Sequence, residues 1–242
     1  SDEPKRAAAG LQPKPQARTA AFVAEITAHH SGISAAQAEA AFAGANAWAK
    51  VRWKQDHVNP SVAQRVAEGY RLLRIAPTPG FSALVADLET MEVTHPPDLL
   101  PGCADSLAAL AQRYQIGIIS DTIVTPGRGL MAILKGYGVL HHFTPAGLTF
   151  SDEVGRSKPD PSIFAAACSG FGLKPEEVVH IGDRESNDVT GPHSFGRRCC
   201  SPAPSTGAAA PRRPTRCAAT SVTSSRSWGR CEHRPQLPPV HG

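Results

Sequence analysis

The sequence predicts an α/β protein in which a parallel-sheet core follows a purely helical module. From residue 95 onward, short apolar runs typical of buried strands alternate with helical stretches of about 10 to 15 residues, a pattern that favours right-handed βαβ units. Residues 20–94 show helical patterns and no strand. Polar side chains follow the predicted strands at their carboxyl ends, where open α/β sheets bind their ligands.

The helical module is predicted from its periodicity and its start signals. Residues 1–19 are polar, contain three prolines and show no periodicity, so we expect a disordered lead-in. Ser34 is a candidate N-cap for a long helix rich in good helix formers. Pro60 suits the first turn of the next helix, and the break at residues 77–80 precedes another. We therefore expect four helices in residues 20–94.

The predicted core, residues 95–196, consists of apolar runs separated by helices. Residues 116–119 and 178–181 are apolar runs too short for a helix and are interpreted as buried strands. Residues 143–150 have an extended, β-like character. Helices are predicted to begin near Cys103, Pro126 and Pro161.

Composition indicates the class of protein. Hydrophobic residues make up 41% of the 242 residues, enough for a sizeable core. There is no run of 18 apolar residues, and the start of the sequence does not resemble a signal peptide. We therefore expect a cytoplasmic protein without a membrane span.

Residues 197–242 differ abruptly from the rest. They carry eight arginines and one acid, a net charge of +7, whereas the other 196 residues carry 17 basic and 20 acidic side chains, a net of −3. They contain no Ile, Phe, Tyr, Lys or Asp, so we expect a disordered Arg/Pro/Ser-rich tail.

One hypothesis for the origin of this tail is a frameshift near residue 197, which translation of the other two reading frames would test. A basic tail can also bind nucleic acid, but the mildly acidic body does not support such a partner.

Three groups of polar residues follow the predicted strands. Ser120, Asp121 and Thr122 come first, and a hydroxyl with adjacent backbone N–H groups can bind a phosphate oxygen. The alternative is an N-cap for the following helix. Lys158 stands on a corner before Pro159, where a fixed ammonium could neutralise a phosphate or a carboxylate; the alternative is an ordinary surface lysine.

The third group is a pair of carboxylates, Asp183 and Asp188, which follows the last predicted strand. Two carboxylates at this position could bind a hard cation such as Mg²⁺. The alternative is a solvated loop with acids at a helix start.

In order and spacing, these groups resemble three motifs of the haloacid dehalogenase-like (HAD) hydrolase superfamily. Ser120 resembles the second motif, a Ser or Thr that closes a hydrophobic strand. The stretch FSDEVGRSKPDPSIF resembles the third motif, with Lys158 as its lysine, and IGDRESND resembles the fourth, GDxxxxD. The similarity covers roughly residues 100–196.

This resemblance implies a three-layer, Rossmann-like parallel-sheet core with an α-helical cap at residues 20–94 that closes over the site and selects small substrates. It implies phosphoryl transfer through an aspartyl-phosphate assisted by Mg²⁺. The two fourth-motif acids favour a Mg²⁺-dependent phosphatase of a small phosphorylated metabolite over a 2-haloacid dehalogenase with a halogenated substrate. The implied catalytic residues are Lys158 and Ser120, the phosphate-binding residues Ser120, Asp121, Thr122 and Lys158, and the metal ligands Asp183 and Asp188.

The sequence departs from the family at its first motif. DxDxT, which supplies the nucleophilic Asp, is absent, and no DxD occurs anywhere in the sequence. No nucleophile is found, and the core therefore looks incomplete. Asp121 is a weak substitute, because residues 121–125 resemble DxDxT with Ile in place of the second Asp, but this alignment leaves the helical cap without its place between motifs. A catalytically inactive, degenerate family member is the alternative that this departure raises.

Overall fold

The helical module forms the first half of the computed structural model, which describes residues 3–194, 198–200 and 218–220. A short helix, α1 (Glu3–Ala8), precedes four longer ones: α2 (Lys14–His29), α3 (Ala35–Asp56), α4 (Val62–Leu73) and α5 (Phe81–Thr94). The predicted four helices without an intervening strand between residues 20 and 94 are confirmed.

The prediction of a disordered lead-in at residues 1–19 is wrong for the two helices that the segment contains. Pro13 precedes α2 as its cap residue, and a second proline lies in the first turn. Proline is tolerated there because the N–H groups of a first turn have no partner within the helix. Arg6 donates from Nε (2.9 Å) and Nη2 (2.8 Å) to the carbonyl of Gln12, which fastens α1 to the start of α2.

Reciprocal capping hydrogen bonds begin both α3 and α4. Ser34 Oγ accepts from Gln37 N (3.3 Å), and Gln37 Oε1 accepts from Ser34 N (2.9 Å). Ser61 and Gln64 repeat the arrangement at 3.2 Å and 2.9 Å. The predicted N-cap at Ser34 is confirmed, whereas Pro60 lies before the helix rather than in its first turn, because Ser61 takes the cap position.

An aromatic cluster holds the module together. The Phe22 and Phe42 rings stack at 4.8 Å between centroids, and Tyr70 meets Phe22 edge-on at 5.8 Å. These side chains are buried, and burial of each contributes roughly 1.5–3 kcal/mol. Gly69 allows this approach, since a Cβ there would lie 2.7 Å from Phe22 Cζ. The cluster therefore ties α2, α3 and α4 into one unit.

The core contains a parallel sheet in the part of the chain that the structure describes, which confirms the predicted α/β class. The strands are β1 (Ile116–Ser120), β2 (Leu148–Phe150), β3 (Val179–Ile181), β4 (Arg198–Cys200) and β5 (Ala218–Thr220). Neighbouring strands follow the order β2-β1-β5-β3-β4, and each pairing is parallel. Carboxyl ends of parallel strands lie at one edge of a sheet, so the loops after β1 and β3 meet there.

Helices connect these strands. They are α6 (Cys103–Ala111), α7 (Gly127–Gly136), α8 (Ser151–Val154), α9 (Pro161–Phe171), α10 (Gly191–Ser194) and a π-helix, Glu185–Thr190. The extended character predicted for residues 143–150 holds only for β2, because Pro145 begins a 3₁₀ turn that ends at Gly147. Within the described residues, no helix is both long enough and apolar enough to cross a bilayer.

Two strands come from the segment 197–242 that we predicted to be disordered, and the prediction does not hold for these six residues. Parallel pairing uses main-chain N–H and C=O groups, so it does not require the large apolar residues Ile and Phe, which are absent from this segment. β5 lies between β1 and β3, where it pairs with Ile116 and Gly117 on one side and with residues 179–181 on the other. The rest of the tail, and with it the frameshift hypothesis, lies outside the described residues.

Candidate active site

The loops after β1 and β3, together with the loop between α8 and α9, bring three of the predicted site residues together. Asp121 directly follows β1, Lys158 lies between α8 and α9, and Asp188 lies in the π-helix after β3. Lys158 is 5% exposed and Asp188 1%. Buried ions of this kind are rare unless they are paired, so the two side chains require each other.

Two donors converge on one oxygen of Asp188. Lys158 Nζ donates to Asp188 Oδ1 at 2.7 Å, and His180 Nε2 lies 3.1 Å from the same oxygen. His180 belongs to β3, is fully buried and packs edge-on against Phe164 at 5.3 Å between centroids. The lysine is thus held in a fixed position rather than extended into solvent.

The second oxygen of Asp188 is also engaged, because Arg184 N donates to Oδ2 at 3.1 Å. Burial opposes ionisation of Asp188, but the hydrogen bond from His180 and the charge of Lys158 outweigh it and hold the pKa of this carboxyl well below its usual range. Gly182 makes room for the carboxylate: a Cβ at this position would lie 2.3 Å from Asp188 Cγ. Asp188 is therefore ionised and closely confined.

Asp121 faces the same corner from the end of β1. Its Oδ1 accepts from the backbone N of Lys158 at 2.8 Å, and its Oδ2 accepts from Asn187 Nδ2 at 3.3 Å. Burial raises the pKa of Asp121, an effect that the hydrogen bond from Lys158 N and the lysine charge only partly offset. The structure thus places a second carboxylate beside Lys158.

Thr122 has a different role from the predicted phosphate contact. Its Oγ1 donates to Asp152 Oδ1 at 2.6 Å and lies 3.0 Å from Ser151 Oγ, while its backbone N donates to Ser151 Oγ at 2.9 Å. Asn59 Nδ2 donates to the Thr122 carbonyl. These bonds join the ends of β1 and β2 to the helical module, so the Thr122 hydroxyl is used within the protein.

Ser120 closes β1 as predicted and is half-buried. Among the residues that the structure describes, its hydroxyl makes no hydrogen bond of its own. The hydroxyl is therefore available to a ligand at the carboxyl edge of the sheet.

The two residues of the predicted metal pair differ in burial. Asp183 is exposed, and both Asp188 oxygens already accept hydrogen bonds. No group of three or more His, Cys, Asp or Glu side chains converges within residues 3–194 in a way that could hold a metal ion. Mg²⁺ takes about six oxygen ligands, so this donor set does not fit it in the arrangement seen here.

The helical module reaches the site through the end of α3. The carbonyl of His57, the residue after α3, accepts a hydrogen bond from Ser157 N at 2.8 Å. Ser157 directly precedes the site lysine, Lys158. Trp53 lies under the Arg184 guanidinium, 5.5 Å from its ring centroid to Cζ, in a cation–π contact. The module therefore contacts both the loop that carries Lys158 and the loop residue Arg184 that precedes the π-helix.

Sequence reasoning missed three residues of this site: Trp53, His180 and Asn187. A histidine within the apolar run of residues 178–181 was a signal that a polar partner must be buried beside it. Trp53 and Asn187 had no comparable signal, because their role depends on contacts with Arg184 and Asp121 from other parts of the chain.

Comparison with known proteins identifies relatives of this arrangement. The family model described as haloacid dehalogenase-like hydrolase matches residues 12–196. A crystal structure of a HAD phosphatase from Thermococcus onnurineus superposes with a TM-score of 0.53 at 20% identity, covering 86% of each chain. At 20% identity, this structural similarity is evidence for a shared fold alone.

Two curated relatives match shorter stretches. A phosphoserine phosphatase from Thermus thermophilus is 43% identical over 65 residues, which is 27% of this chain and 25% of that protein. A glyceraldehyde 3-phosphate phosphatase from Methanopyrus kandleri is 42% identical over 57 residues, 24% of either chain. The matched stretches thus span about a quarter of the length of these relatives.

Proposed function

The chain belongs to the haloacid dehalogenase-like hydrolase family, and from that membership we propose that it is a phosphatase of a small phosphorylated metabolite. The phosphatases among its relatives support this substrate class over a halogenated acid. The proposed site is the corner formed by Ser120, Asp121, Lys158 and Asp188 at the carboxyl edge of the sheet.

The buried Lys158–Asp188 pair is the observation that carries the proposal. The ammonium is fixed by a 2.7 Å hydrogen bond to Asp188 Oδ1, and the backbone N–H of the same lysine donates to Asp121 Oδ1 at 2.8 Å. Ser120 ends β1, and among the described residues its hydroxyl has no hydrogen-bond partner. A fixed positive charge of this kind can neutralise a phosphoryl group at low reorganisation cost. Ser120 Oγ would donate a hydrogen bond to a phosphoryl oxygen bound at the same carboxyl edge of the sheet.

Asp121 is the carboxylate that we propose as nucleophile. Its oxygen would attack phosphorus to form an acyl phosphate, the P–O bond to the substrate would break, and the alcohol would leave with a proton from water. A second water would then release inorganic phosphate and restore the carboxylate. Mg²⁺ supplies charge neutralisation in such phosphatases, but the described donor set does not fit the ion, and no step here depends on it.

A second candidate is a family member that binds phosphate without turnover. Both oxygens of Asp121 accept hydrogen bonds, from Lys158 N and Asn187 Nδ2. These hydrogen bonds reduce the nucleophilicity of the carboxylate, because they draw charge from both oxygens. This reading predicts phosphate binding at Lys158 with no product formed.

Hydrolysis of p-nitrophenyl phosphate by the full chain, with and without Mg²⁺, tests the proposal. We expect phosphate release that Asp121→Asn abolishes, together with a hydroxylamine-trappable acyl phosphate in the unmodified chain. Asp87→Asn, the same substitution on an exposed face of α5, is the matched control and is expected to leave the rate unchanged. Phosphate binding with no hydrolysis supports the second candidate, and activity that survives in Asp121→Asn excludes this nucleophile. Halide release from 2-chloropropionate would instead indicate a dehalogenase.

A further inference from the structure

A cavity of about 290 Å³ lies inside the helical module, away from the Lys158–Asp188 pair. Helices α2, α3, α4 and α5 and the loop after β1 contribute to its wall. Its size is at the small end of the range for ligand-binding pockets. Its polar side chains include Arg18, Asn46 and Arg65, and its apolar side chains include Phe42, Leu88 and Val124.

Arg65 is the most informative residue of this wall. It is 9% exposed, and it donates from Nη2 to the carbonyl of Ile123 at 2.8 Å and from Nη1 to Asn46 Oδ1 at 3.4 Å. Its Nε is buried and has no hydrogen-bond partner among the residues that the structure describes. In the described part of the chain, Arg65 forms no ion pair with a carboxylate.

A second guanidinium, that of Arg18, lines the same cavity. Burial, followed by repulsion from Arg18, lowers the pKa of Arg65 to about 10. A buried cation without an anionic partner is costly, and a like charge beside it adds to that cost. An anion in the cavity would relieve both effects and would satisfy the unused donor.

We propose that this cavity binds a small organic anion, with its carboxylate or phosphate head against Arg18 and Arg65 and its apolar body against Phe42 and Leu88. The guanidinium fork of Arg65 suits either head group, because both offer two oxygens at matching spacing. This cavity is distinct from the proposed active site around Lys158 and Asp188. The two are connected indirectly, because Arg65 donates a hydrogen bond to the carbonyl of Ile123, two residues after Asp121.

Titration calorimetry on the full chain tests the site without relying on catalysis. The probes are 3-methylbutanoate, its phosphonate analogue 2-methylpropylphosphonate, and the uncharged amide 3-methylbutanamide. We expect the better anion to bind at least about tenfold more tightly than the amide, since bonds to charged groups are roughly twice as strong as neutral ones. The preferred anion identifies the head group.

Variants locate the binding. Arg65→Gln is expected to reduce anion affinity about tenfold or more, and Arg18→Gln tests the same site without removing the bond that Arg65 makes to Ile123. Arg71→Gln removes an exposed arginine from the same helix and is the matched control, with affinity expected to be unchanged. Equal affinity for anion and amide, no binding of either anion, or anion affinity retained in both Arg65→Gln and Arg18→Gln would each overturn the proposal.

Discussion

Gly182→Ala should disrupt the core of the candidate site through a single methyl group. The added Cβ would lie 2.3 Å from Asp188 Cγ and 2.4 Å from Asp188 Cβ, distances that real Cβ contacts do not reach. The colliding atoms lie close to the backbone, so rotation of a flexible side-chain end cannot relieve the clash. Asp188 would have to move, and its bonds to Lys158 (2.7 Å) and His180 (3.1 Å) would lengthen or break.

The expected loss of stability follows from these contacts. Overpacking of a core costs about 1–3 kcal/mol, and separation of a buried ion pair costs about 3–5 kcal/mol when one charge is left unpaired. We therefore expect Gly182→Ala to lower the free energy of unfolding by about 3 kcal/mol. For a chain of this length, that corresponds to a fall in melting temperature of roughly 6–12 °C.

Urea unfolding followed by circular dichroism measures this change. The matched control is Gly136→Ala at the end of α7, where an added Cβ meets nothing within 4 Å. That substitution is expected to leave stability unchanged or raise it by up to about 1 kcal/mol, because alanine favours helices over glycine. If Gly182→Ala unfolded at the same urea concentration as Gly136→Ala, the close packing of Gly182 against Asp188 would be refuted.

Three further predictions follow from named contacts. Lys158→Met should destabilise the protein by about 3–5 kcal/mol, because Asp188 would be left buried without its cation. The control Lys50→Met, on an exposed face, should cost less than about 0.5 kcal/mol. Equal effects of the two substitutions in thermal unfolding would contradict a buried ion pair. Because folding lowers the pKa of Asp188, its ionised form contributes stability that is present above about pH 4 and is lost as pH falls below that value. Asp188→Asn should therefore flatten the acid limb of a curve of unfolding free energy against pH. An acid limb of unchanged slope in that variant would argue against a lowered pKa of Asp188 in the folded state. Ser34→Ala and Ser61→Ala should each cost about 1 kcal/mol through loss of a helix cap, which chemical denaturation can resolve.

Elements whose signals are local were predictable from the sequence. Ser34 caps α3 because a Ser and a Gln three residues later satisfy each other's backbone donors, and such a pattern depends on neighbours alone. The first nineteen residues were mispredicted because proline was taken as a sign of irregular structure, although prolines at the start of α2 occupy positions that tolerate them. The tail strands were missed because their main-chain pairing has no side-chain signature.

The sequence by itself determined the α/β class, the order of the main helices and strands between residues 20 and 196, and the choice of Ser120, Asp121, Lys158 and Asp188 as residues of one sheet edge. Periodicity and residue type carry that information, and parallel strands bring their carboxyl ends to one edge. Only the tertiary structure decided what each side chain does. Asp188 binds Lys158, 30 residues away, and His180, while the Thr122 hydroxyl is hydrogen-bonded to Ser151 and Asp152, and Asp183 is exposed. Whether a carboxylate becomes a buried ion-pair partner, a structural acceptor or an exposed side chain depends on which distant residues pack against it, and that is a property of the folded chain.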